Sequence, residues 1–276
     1  MASDEDTKYL LGDNAREIER LQKQHIWIQK SHDNKIVFAP IQVTKDGLRV
    51  LDVGCADGTL LRDLQKQVSP SAKLVGVDIM ESFLPPSNEN IIYQFYDLCE
   101  PPEQGLSEAF DLTHVRLVIG GVAKVGIQKA VEHLAATVAP EGWLQVQELD
   151  FDPNDRQIAG PAWRDVNSVL AGMFEAFGLG GNYTSKIFKA FEDAGLLNVK
   201  VETIYWPMGK LLGGDEAGKE SWQITIPSII QAAKMLNADI PDSTYENLTE
   251  RFIKEVDGQG VVFRTFVFIG QKPASE

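Results

Sequence analysis

The feature that most constrains the fold is an apolar strand that runs into a glycine turn, followed by a second strand that ends on a carboxylate. Residues 50–59 read Val-Leu-Asp-Val-Gly-Cys-Ala-Asp-Gly-Thr, and residues 74–78 read Leu-Val-Gly-Val-Asp. In a parallel sheet, such a turn lets backbone N–H groups approach a ligand, and the carboxylate accepts hydrogen bonds from ribose hydroxyls. The pattern therefore predicts a nucleoside pocket at the edge of a parallel sheet, with Asp78 on the ribose.

The spacing of the glycines indicates which nucleoside is bound. A dinucleotide site is typically G-x-G-x-x-G, because the pyrophosphate lies on the N-terminus of the following helix. Here Cys-Ala-Asp separates Gly54 from Gly58, and the negative Asp57 stands where a pyrophosphate would lie. The turn favours a cationic ligand and disfavours an NAD-linked dehydrogenase.

Composition narrows the choice of partners. The chain has 276 residues, 43% of them apolar, which suffices for one large α/β domain. A net charge of −14 repels phosphate backbones and anionic lipid, so we expect a small-molecule partner, no nucleic acid and no membrane. Cys55 and Cys99 lack metal-ligand spacing, so we expect no metal and a reduced, cytoplasmic protein. A monomer and a homodimer both remain open.

Short apolar strands alternate with helical patterns through most of the chain. This alternation predicts an α/β fold with a doubly wound sheet and right-handed crossovers. We expect strands at 48–53, 73–77, 91–96, 109–115, 143–149, 199–206 and 261–269. We expect helices that begin at 13 or 14 and at 59, 127, 184, 219 and 243, and a turn at 140–142.

Asp52 before the turn, together with Gly54 and Gly58, resembles the first motif of class I S-adenosylmethionine-dependent methyltransferases. Asp78 resembles their second motif, and Tyr96-Asp97-Leu98 occupies the place of an acidic residue that accepts from the adenine amino group. For Asp97, a turn-forming role remains the alternative. The resemblance covers roughly residues 50–150 and implies S-adenosylmethionine as the cofactor. It assigns cofactor binding to Asp52, Gly54, Cys55, Asp57, Gly58, Asp78, Ile79, Tyr96, Asp97, Leu98, Val115 and Arg116.

The segment Phe-Asp-Leu-Thr-His-Val-Arg at 110–116 reads like the fourth motif of the same family. His114 has two interpretations, a general base or a histidine that the backbone satisfies at the end of a strand. Glu148 and Asp150 follow at the end of the fifth strand, where open α/β sheets place their sites. Glu148 is the second catalytic candidate, and solvated loop carboxylates are the alternative for both.

The N-terminal segment resembles the lid of fungal secondary-metabolism methyltransferases, with Tyr-Leu-Leu at 9–11 and an E-x-x-R-L-x-x-Q helix from residue 17. The resemblance implies that Tyr9, Arg20 and Gln24 close over the cofactor, with Arg20 on its carboxylate. Without the family, Glu17 and Arg20 are a surface pair that contributes a few tenths of a kcal/mol.

The same resemblance implies a single class I methyltransferase domain over 1–276, with seven strands, the last antiparallel. Its parts are an N-terminal helical lid at 1–47, a cofactor-binding core at 48–151, a helical substrate-cap insertion after strand five at 152–184, and the C-terminal half of the sheet at 185–276.

The whole chain is similar to enzymes that S-methylate reduced dithiols of the epidithiodioxopiperazine (gliotoxin) class. The expected reaction is methyl transfer to a secondary metabolite, most simply twice, to the thiols of a molecule such as dithiolgliotoxin. No His–Asp dyad is recognisable in the sequence, and a thiol needs little help from a base, so sulfur is favoured. An O-methyltransferase and a non-catalytic cofactor-binding regulator are the alternatives. Substrate-wall candidates, each with plain core as the alternative, are Trp27, Met173, Phe174 and Tyr183.

Overall fold

The computed structural model describes residues 14–151 and 160–275. Its strands are β1 (Arg49–Val53), β2 (Lys73–Asp78), β3 (Ile91–Phe95), β4 (Phe110–Arg116), β5 (Val138–Leu149), β6 (Leu197–Met208) and β7 (Val261–Gln271). Its helices are α1 (Asn14–Ser31), α2 (Thr59–Gln65), α3 (Ile127–Thr137), α4 (Pro161–Ala176), α5 (Ile187–Asp193), α6 (Glu216–Met235), α7 (Asp242–Tyr245) and α8 (Leu248–Gly258).

The strands form one seven-stranded sheet in the order β3-β2-β1-β4-β5-β7-β6. Strands β1 to β5 are parallel where they pair, because each is followed by a crossover that returns the chain to the same edge. The last strands are antiparallel. The expected doubly wound sheet with an antiparallel seventh strand is confirmed.

Two sequence predictions about elements are wrong. The expected turn at 140–142 lies inside β5, whose pairing with β4 changes register there, with Glu141 at φ 64°. The chain therefore bulges and continues instead of reversing. The helix expected from 243 is divided into α7 and α8, because Asn247 adopts a left-handed conformation (φ 48°) that ends one helix before the next begins.

The chain divides into two compact units. The first unit is described over 14–35, 149–151, 160–183 and 204–265, and it holds α1, α4, α6, α7 and α8. The second unit is described over 36–148, 184–203 and 266–275, and it holds β1 to β4 with α2, α3 and α5.

The core of the second unit begins with an apolar row across one face of the sheet. Strand register places Val50 between Leu74 and Leu112, and the row continues to Ile91 and Trp143. The same buried cluster contains Leu60, Leu61 and Leu64 of α2 together with Ile36 and Ala39. Burying these side chains fixes which face of the sheet α2 covers.

The core of the first unit is aromatic. Phe263 is stacked on Trp222 with ring centroids 4.6 Å apart, and Trp27, Trp163 and Phe252 surround it at 5.6, 6.1 and 6.3 Å. We call these five residues the Phe263 cluster. Gly218 of α6 is required beside it, because a Cβ there would lie 2.7 Å from the Trp27 ring.

Within the ranges given above, none of the helices combines the length and the apolar character that crossing a membrane requires.

Candidate active site

Along the face of the sheet that α2 covers, side chains change from apolar to polar toward the carboxyl ends of the strands. One step beyond Val50, the register aligns Asp52 of β1 with His114 of β4, and His114 with Gln145 of β5. All three side chains are buried. Buried polar groups cost free energy unless they are hydrogen-bonded, so these three side chains need hydrogen-bond partners within the protein.

Asp52 and His114 satisfy one another. His114 Nδ1 lies 2.7 Å from Asp52 Oδ1, and both side chains are almost wholly enclosed. The structure thus contains a His–Asp pair that is not recognisable in the sequence. The two residues are 62 positions apart and become neighbours only through the pairing of β1 with β4. The argument for sulfur that rested on the missing dyad loses its support.

Gln145 completes the row by binding the chain that leads into the second unit. Its Oε1 accepts from Phe38 N at 2.7 Å and Ala39 N at 3.0 Å, and its Nε2 donates to Ile36 O at 2.9 Å. The amide thereby satisfies backbone groups that a neighbouring strand would otherwise bond, and it holds residues 36–39 against the sheet.

The glycine turn at 54–58 is tightly packed. Gly54 and Gly58 have φ of 77° and 74°, and a Cβ on either would collide with Val118 or Tyr93 respectively. These glycines are therefore required by the turn itself. Ala56 between them also has a positive φ, 48°, a strained conformation of the kind that concentrates at functional sites.

Asp57 serves the start of α2. Its Oδ1 accepts from Thr59 N at 3.2 Å, and its Oδ2 accepts from Arg62 at 3.1 Å. The carboxylate thus lies at the N-terminus of this helix, where a pyrophosphate would otherwise bind. The exclusion of a diphosphate from this turn stays a prediction.

Asp78 ends β2 beside the turn, and its carboxylate is buried. Oδ2 accepts from Ala56 N and Oδ1 accepts from Met80 N, each at 2.9 Å. Burial raises the pKa of the Asp78 carboxyl, and hydrogen bonds from the backbone N–H groups of Met80, Ala56 and Ile79 oppose that rise. A carboxylate has about four acceptor sites. These amides do not use all of them, and the role of Asp78 toward ribose hydroxyls stays a prediction. Half-buried Ile79 follows directly.

Residues 96–98 form a turn after β3. Tyr96 Oη donates to Glu100 O at 2.9 Å, and Asp97 Oδ1 accepts from Cys99 N at 2.9 Å. Leu98 O lies 3.0 Å from His133 Nδ1. Asp97 therefore forms the turn with one oxygen, and its role toward an adenine amino group stays a prediction.

Cys55 lies in the glycine turn at 54–58. Burial raises the pKa of its thiol, so the side chain stays uncharged at neutral pH.

Arg116 and Gln147 lie side by side at the carboxyl ends of β4 and β5. Burial lowers the pKa of the Arg116 guanidinium to about 10, so the group stays cationic at neutral pH. Gln147 is buried, and its Nε2 has no hydrogen-bond partner among the described residues. Sequence reasoning missed Gln147. The signal was available, because glutamines at 145 and 147 alternate with apolar residues in the second half of β5.

Glu148 holds the turn that follows β4. Its Oε1 accepts from Val118 N and Ile119 N, each at 2.8 Å, and the side chain is buried. The preceding Leu117 has a left-handed φ of 59°. Glu148 thus maintains a strained turn next to Arg116, while its catalytic role stays a prediction. Val115 is fully buried in β4.

In the first unit, Arg20 is enclosed and forms a double hydrogen bond with Glu17. Its Nε and Nη2 lie 2.7 and 2.6 Å from the two carboxylate oxygens, and Nη1 lies 3.4 Å from Thr225 Oγ1. The interpretation of Glu17 and Arg20 as a surface pair is wrong, because both are buried. Gln24 is half-buried on the same helix. Tyr9 lies outside the described residues, so the lid assignment stays a prediction.

The expected substrate walls fall into two groups. Trp27 is fully buried and its Nε1 donates to Pro207 O at 2.7 Å. Phe174 and Tyr183 form a three-ring group with Phe151, with centroids 5.0 to 6.1 Å apart, and Met173 is buried in α4. Phe151 lies two residues beyond the end of β5.

Polar atoms without partners are numerous in the first unit. Indole N–H groups usually find a partner when buried, yet those of Trp163 and Trp222 in the Phe263 cluster have none among the described residues. Asn167 lies one helical turn beyond Trp163 on α4, and its Oδ1 is also unpartnered. The other such atoms in the unit include Trp206 Nε1, Ser221 Oγ and Thr265 Oγ1.

The seven-stranded sheet with its antiparallel last strands is the class I methyltransferase fold. The sequence profile of a family described as "Methyltransferase domain" matches residues 17–201, more than half of the chain. The chain therefore belongs to the methyltransferase-domain family, whose cofactor is S-adenosylmethionine.

The chain also resembles individual proteins, in sequence or in fold. The chain is 29% identical to N-methyltransferase sirN of Leptosphaeria maculans over 276 residues, 98% of this chain and 96% of that protein. It is 27% identical to N-methyltransferase gliN of Aspergillus fumigatus over 210 residues, 75% and 74% of the two chains. A chain of the complex containing the Haloferax volcanii Trm112 methyltransferase activator has the same fold, with a TM-score of 0.57 at 13% identity, covering 97% and 99%. The two fungal relatives, sirN and gliN, place the chain among fungal secondary-metabolite methyltransferases.

Proposed function

We propose that this protein transfers a methyl group from S-adenosylmethionine to a ring nitrogen of a small, largely apolar secondary metabolite. The observation that carries the cofactor half of the proposal is the Asp78 carboxylate, which keeps acceptor sites beside the glycine turn. The naming of sirN and gliN as N-methyltransferases supports the choice of nitrogen.

The residues present fit the cofactor. S-adenosylmethionine supplies an electrophilic methyl group on a sulfonium sulfur. Asp78 would accept from its ribose hydroxyls, and the amides of residues 54–58 would lie along its methionine end. Arg116 and the Gln147 Nε2 donor stand at the adjacent strand ends, where they would orient a carboxylate or carbonyl oxygen.

The buried row beneath this site supplies rigidity. Methyl transfer depends chiefly on holding donor and acceptor in line and on excluding water. The Asp52–His114 pair, the Gln145 amide and the Glu148 clamp fix the strand ends with bonds of 2.7 to 3.0 Å. We assign His114 a positioning role through Asp52, in place of the general-base role that the sequence left open.

The first test measures cofactor binding. Asp78→Asn removes the charge from the acceptor of the two ribose hydroxyls, and hydrogen bonds to a charged group contribute about 1.5–3 kcal/mol each. We expect titration calorimetry with S-adenosylhomocysteine to show affinity reduced about a hundredfold. Asp46→Asn is the matched control, because Asp46 pairs with Ser69 and Ser71 before β1 begins. Unchanged affinity in a folded Asp78→Asn variant would refute the ribose assignment.

The second test locates the transferred methyl. An epidithiodioxopiperazine that retains one ring N–H, reduced to its dithiol, offers nitrogen and sulfur in one molecule. With a ¹³C-methyl-labelled cofactor, the carbon chemical shift of the product distinguishes the two acceptors. We expect one methyl on nitrogen. Two methyls on sulfur would establish the S-methyltransferase predicted from the sequence.

A further inference from the structure

Among residues 14–151 and 160–275, no further strand pairs with the outer edge of β6. Strand β6 is last in the sheet order, with β7 as its sheet neighbour. In its first seven residues, Leu197 and Val201 are 54% and 46% exposed, and every residue but the half-buried Val199 is exposed. Proteins usually protect such edges, because free backbone N–H and C=O groups beside apolar side chains invite another strand.

The charges on this edge are arranged symmetrically about its exposed valine. Lys200 precedes Val201 and Glu202 follows it, and both side chains are exposed. Successive side chains of a strand point to opposite faces, so Lys200 and Glu202 share one face while Val199, Val201 and Thr203 share the other. An antiparallel copy of the same segment presents this pattern in reverse.

We propose that two copies of this chain pair through the β6 edge, antiparallel about a two-fold axis at Val201. In this register Lys200 lies opposite Glu202 of the partner subunit, and the symmetric pair repeats the contact. On the other face Val201 lies opposite Val201 of the partner subunit, and Val199 lies opposite Thr203 of the partner subunit. Directly opposed unlike charges and β-branched pairs both stabilise a sheet. Such a two-fold contact is closed and therefore stops at the dimer.

The neighbouring registers are disfavoured by the same residues. If the two-fold axis moves by one residue to Lys200, each face still meets the same face of the partner, but Lys200 lies opposite Lys200 of the partner subunit. The opposite shift brings Glu202 opposite Glu202 of the partner subunit. A slip by one residue places the valine face of one copy beside the charged face of the other. The other sheet edge, β3, exposes Ile92 and Phe95 but has no charged residue, so nothing there selects a partner.

Charge reversal tests the register. Sedimentation velocity of the full chain over a range of concentrations gives its monomer–dimer dissociation constant. Lys200→Glu and Glu202→Lys each replace two attractive contacts with two repulsive ones, and we expect each to raise that constant at least about tenfold. The double variant Lys200→Glu, Glu202→Lys restores both contacts in reversed polarity. We expect its constant to return to within about twofold of the original.

Lys129→Glu is the matched control, because it makes the same charge change on an exposed residue of α3 and should leave the constant unchanged. Unfolding curves of every variant check that each one folds. A chain that is monomeric throughout, single variants that dimerise as well as the parent, or a double variant that stays dissociated would each overturn the proposal.

Discussion

The two units differ in how many of their buried polar groups find partners within the described residues. In the second unit, Asp52, His114, Gln145 and Glu148 are hydrogen-bonded within the protein, and Gln147 Nε2 is the exception among the described residues. In the first unit, Trp163, Asn167, Trp206, Ser221, Trp222 and Thr265 each keep a buried side-chain atom without a partner.

Buried polar groups that are already hydrogen-bonded can hold a ligand in a fixed site, whereas groups without a partner can still bind one. A cofactor shared by a whole family can be held by a site whose groups are already fixed, and fixed dipoles need no rearrangement when the ligand arrives. A buried donor or acceptor without a partner in the protein needs a hydrogen bond from water or from a ligand. We propose that the unpartnered groups of the first unit receive hydrogen bonds from water or from a bound substrate. Four predictions test this contrast.

The largest effect should come from breaking the most enclosed pair. Asp52→Leu leaves His114 buried without its partner, and removing one member of such a pair costs about 3–5 kcal/mol. Urea unfolding measures this cost. The double variant Asp52→Leu, His114→Leu should lose less than the sum of the two single losses, since neither polar group is left alone. Strict additivity would show that the pair does not act as a unit.

The two glutamines of β5 offer a matched comparison. Gln145→Leu removes the acceptor of the backbone N–H groups of Phe38 and Ala39 and leaves both without a partner. It should therefore lower the free energy of unfolding by about 2–3 kcal/mol. Gln147→Leu removes a donor that has no partner, so stability should change by less than about 1 kcal/mol. Binding of S-adenosylmethionine or of the acceptor should nevertheless weaken about tenfold. A Gln147→Leu variant with full affinity for both ligands would leave that donor without a function.

The pH dependence of cofactor binding should follow Asp78. Because burial raises the pKa of this carboxyl, its contribution to stability is full below the unfolded pKa and is lost as pH rises through the folded pKa. Ligand binding has the opposite sign, since ribose hydroxyls require the ionised form. Affinity for S-adenosylhomocysteine should fall about tenfold for each pH unit below the folded pKa. Asp78→Asn should lack this dependence; a parallel slope in the variant would assign it to another group.

The smallest effect should distinguish two tryptophans of the Phe263 cluster. Trp27→Phe and Trp222→Phe remove the same volume, but Trp27 also loses its bond to Pro207 O. Trp27→Phe should therefore be about 1 kcal/mol less stable than Trp222→Phe. Trp222→Phe should instead raise the KM for the methyl acceptor with little change in kcat. Equal stabilities would indicate that the Trp222 indole has a hydrogen-bonded partner, such as water, in solution.

The fold could be predicted from the sequence because its signals are local. Alternating strands and helices, the glycine turn and Asp78 all lie within short segments, and the sheet confirms them. The bulge at Glu141 and the break at Asn247 were missed, since a left-handed residue other than glycine leaves no reliable trace in a hydrophobic pattern.

The site was harder to predict, because its bonds join residues that are far apart. Asp52 was singled out by its motif and His114 by its residue type, but only strand register makes them neighbours. Glu148 was identified as a polar residue at a strand end, yet its acceptance from Val118 and Ile119 depends on a turn about thirty positions earlier. The helical pattern around Arg20 does not show what covers that face, so the sequence left the alternative of an exposed pair with Glu17 open.

The Gln145 amide has a consequence for how the polypeptide is made. Residues 36–39 leave the ribosome more than a hundred residues before the glutamine that binds them, since the sequence separation is 106 to 109. Until then their backbone groups can be satisfied only by water or by transient partners. The N-terminal segment is thus fastened late, after the nascent chain has produced its fifth strand, and slow closure of this long loop is the expected cost of the arrangement.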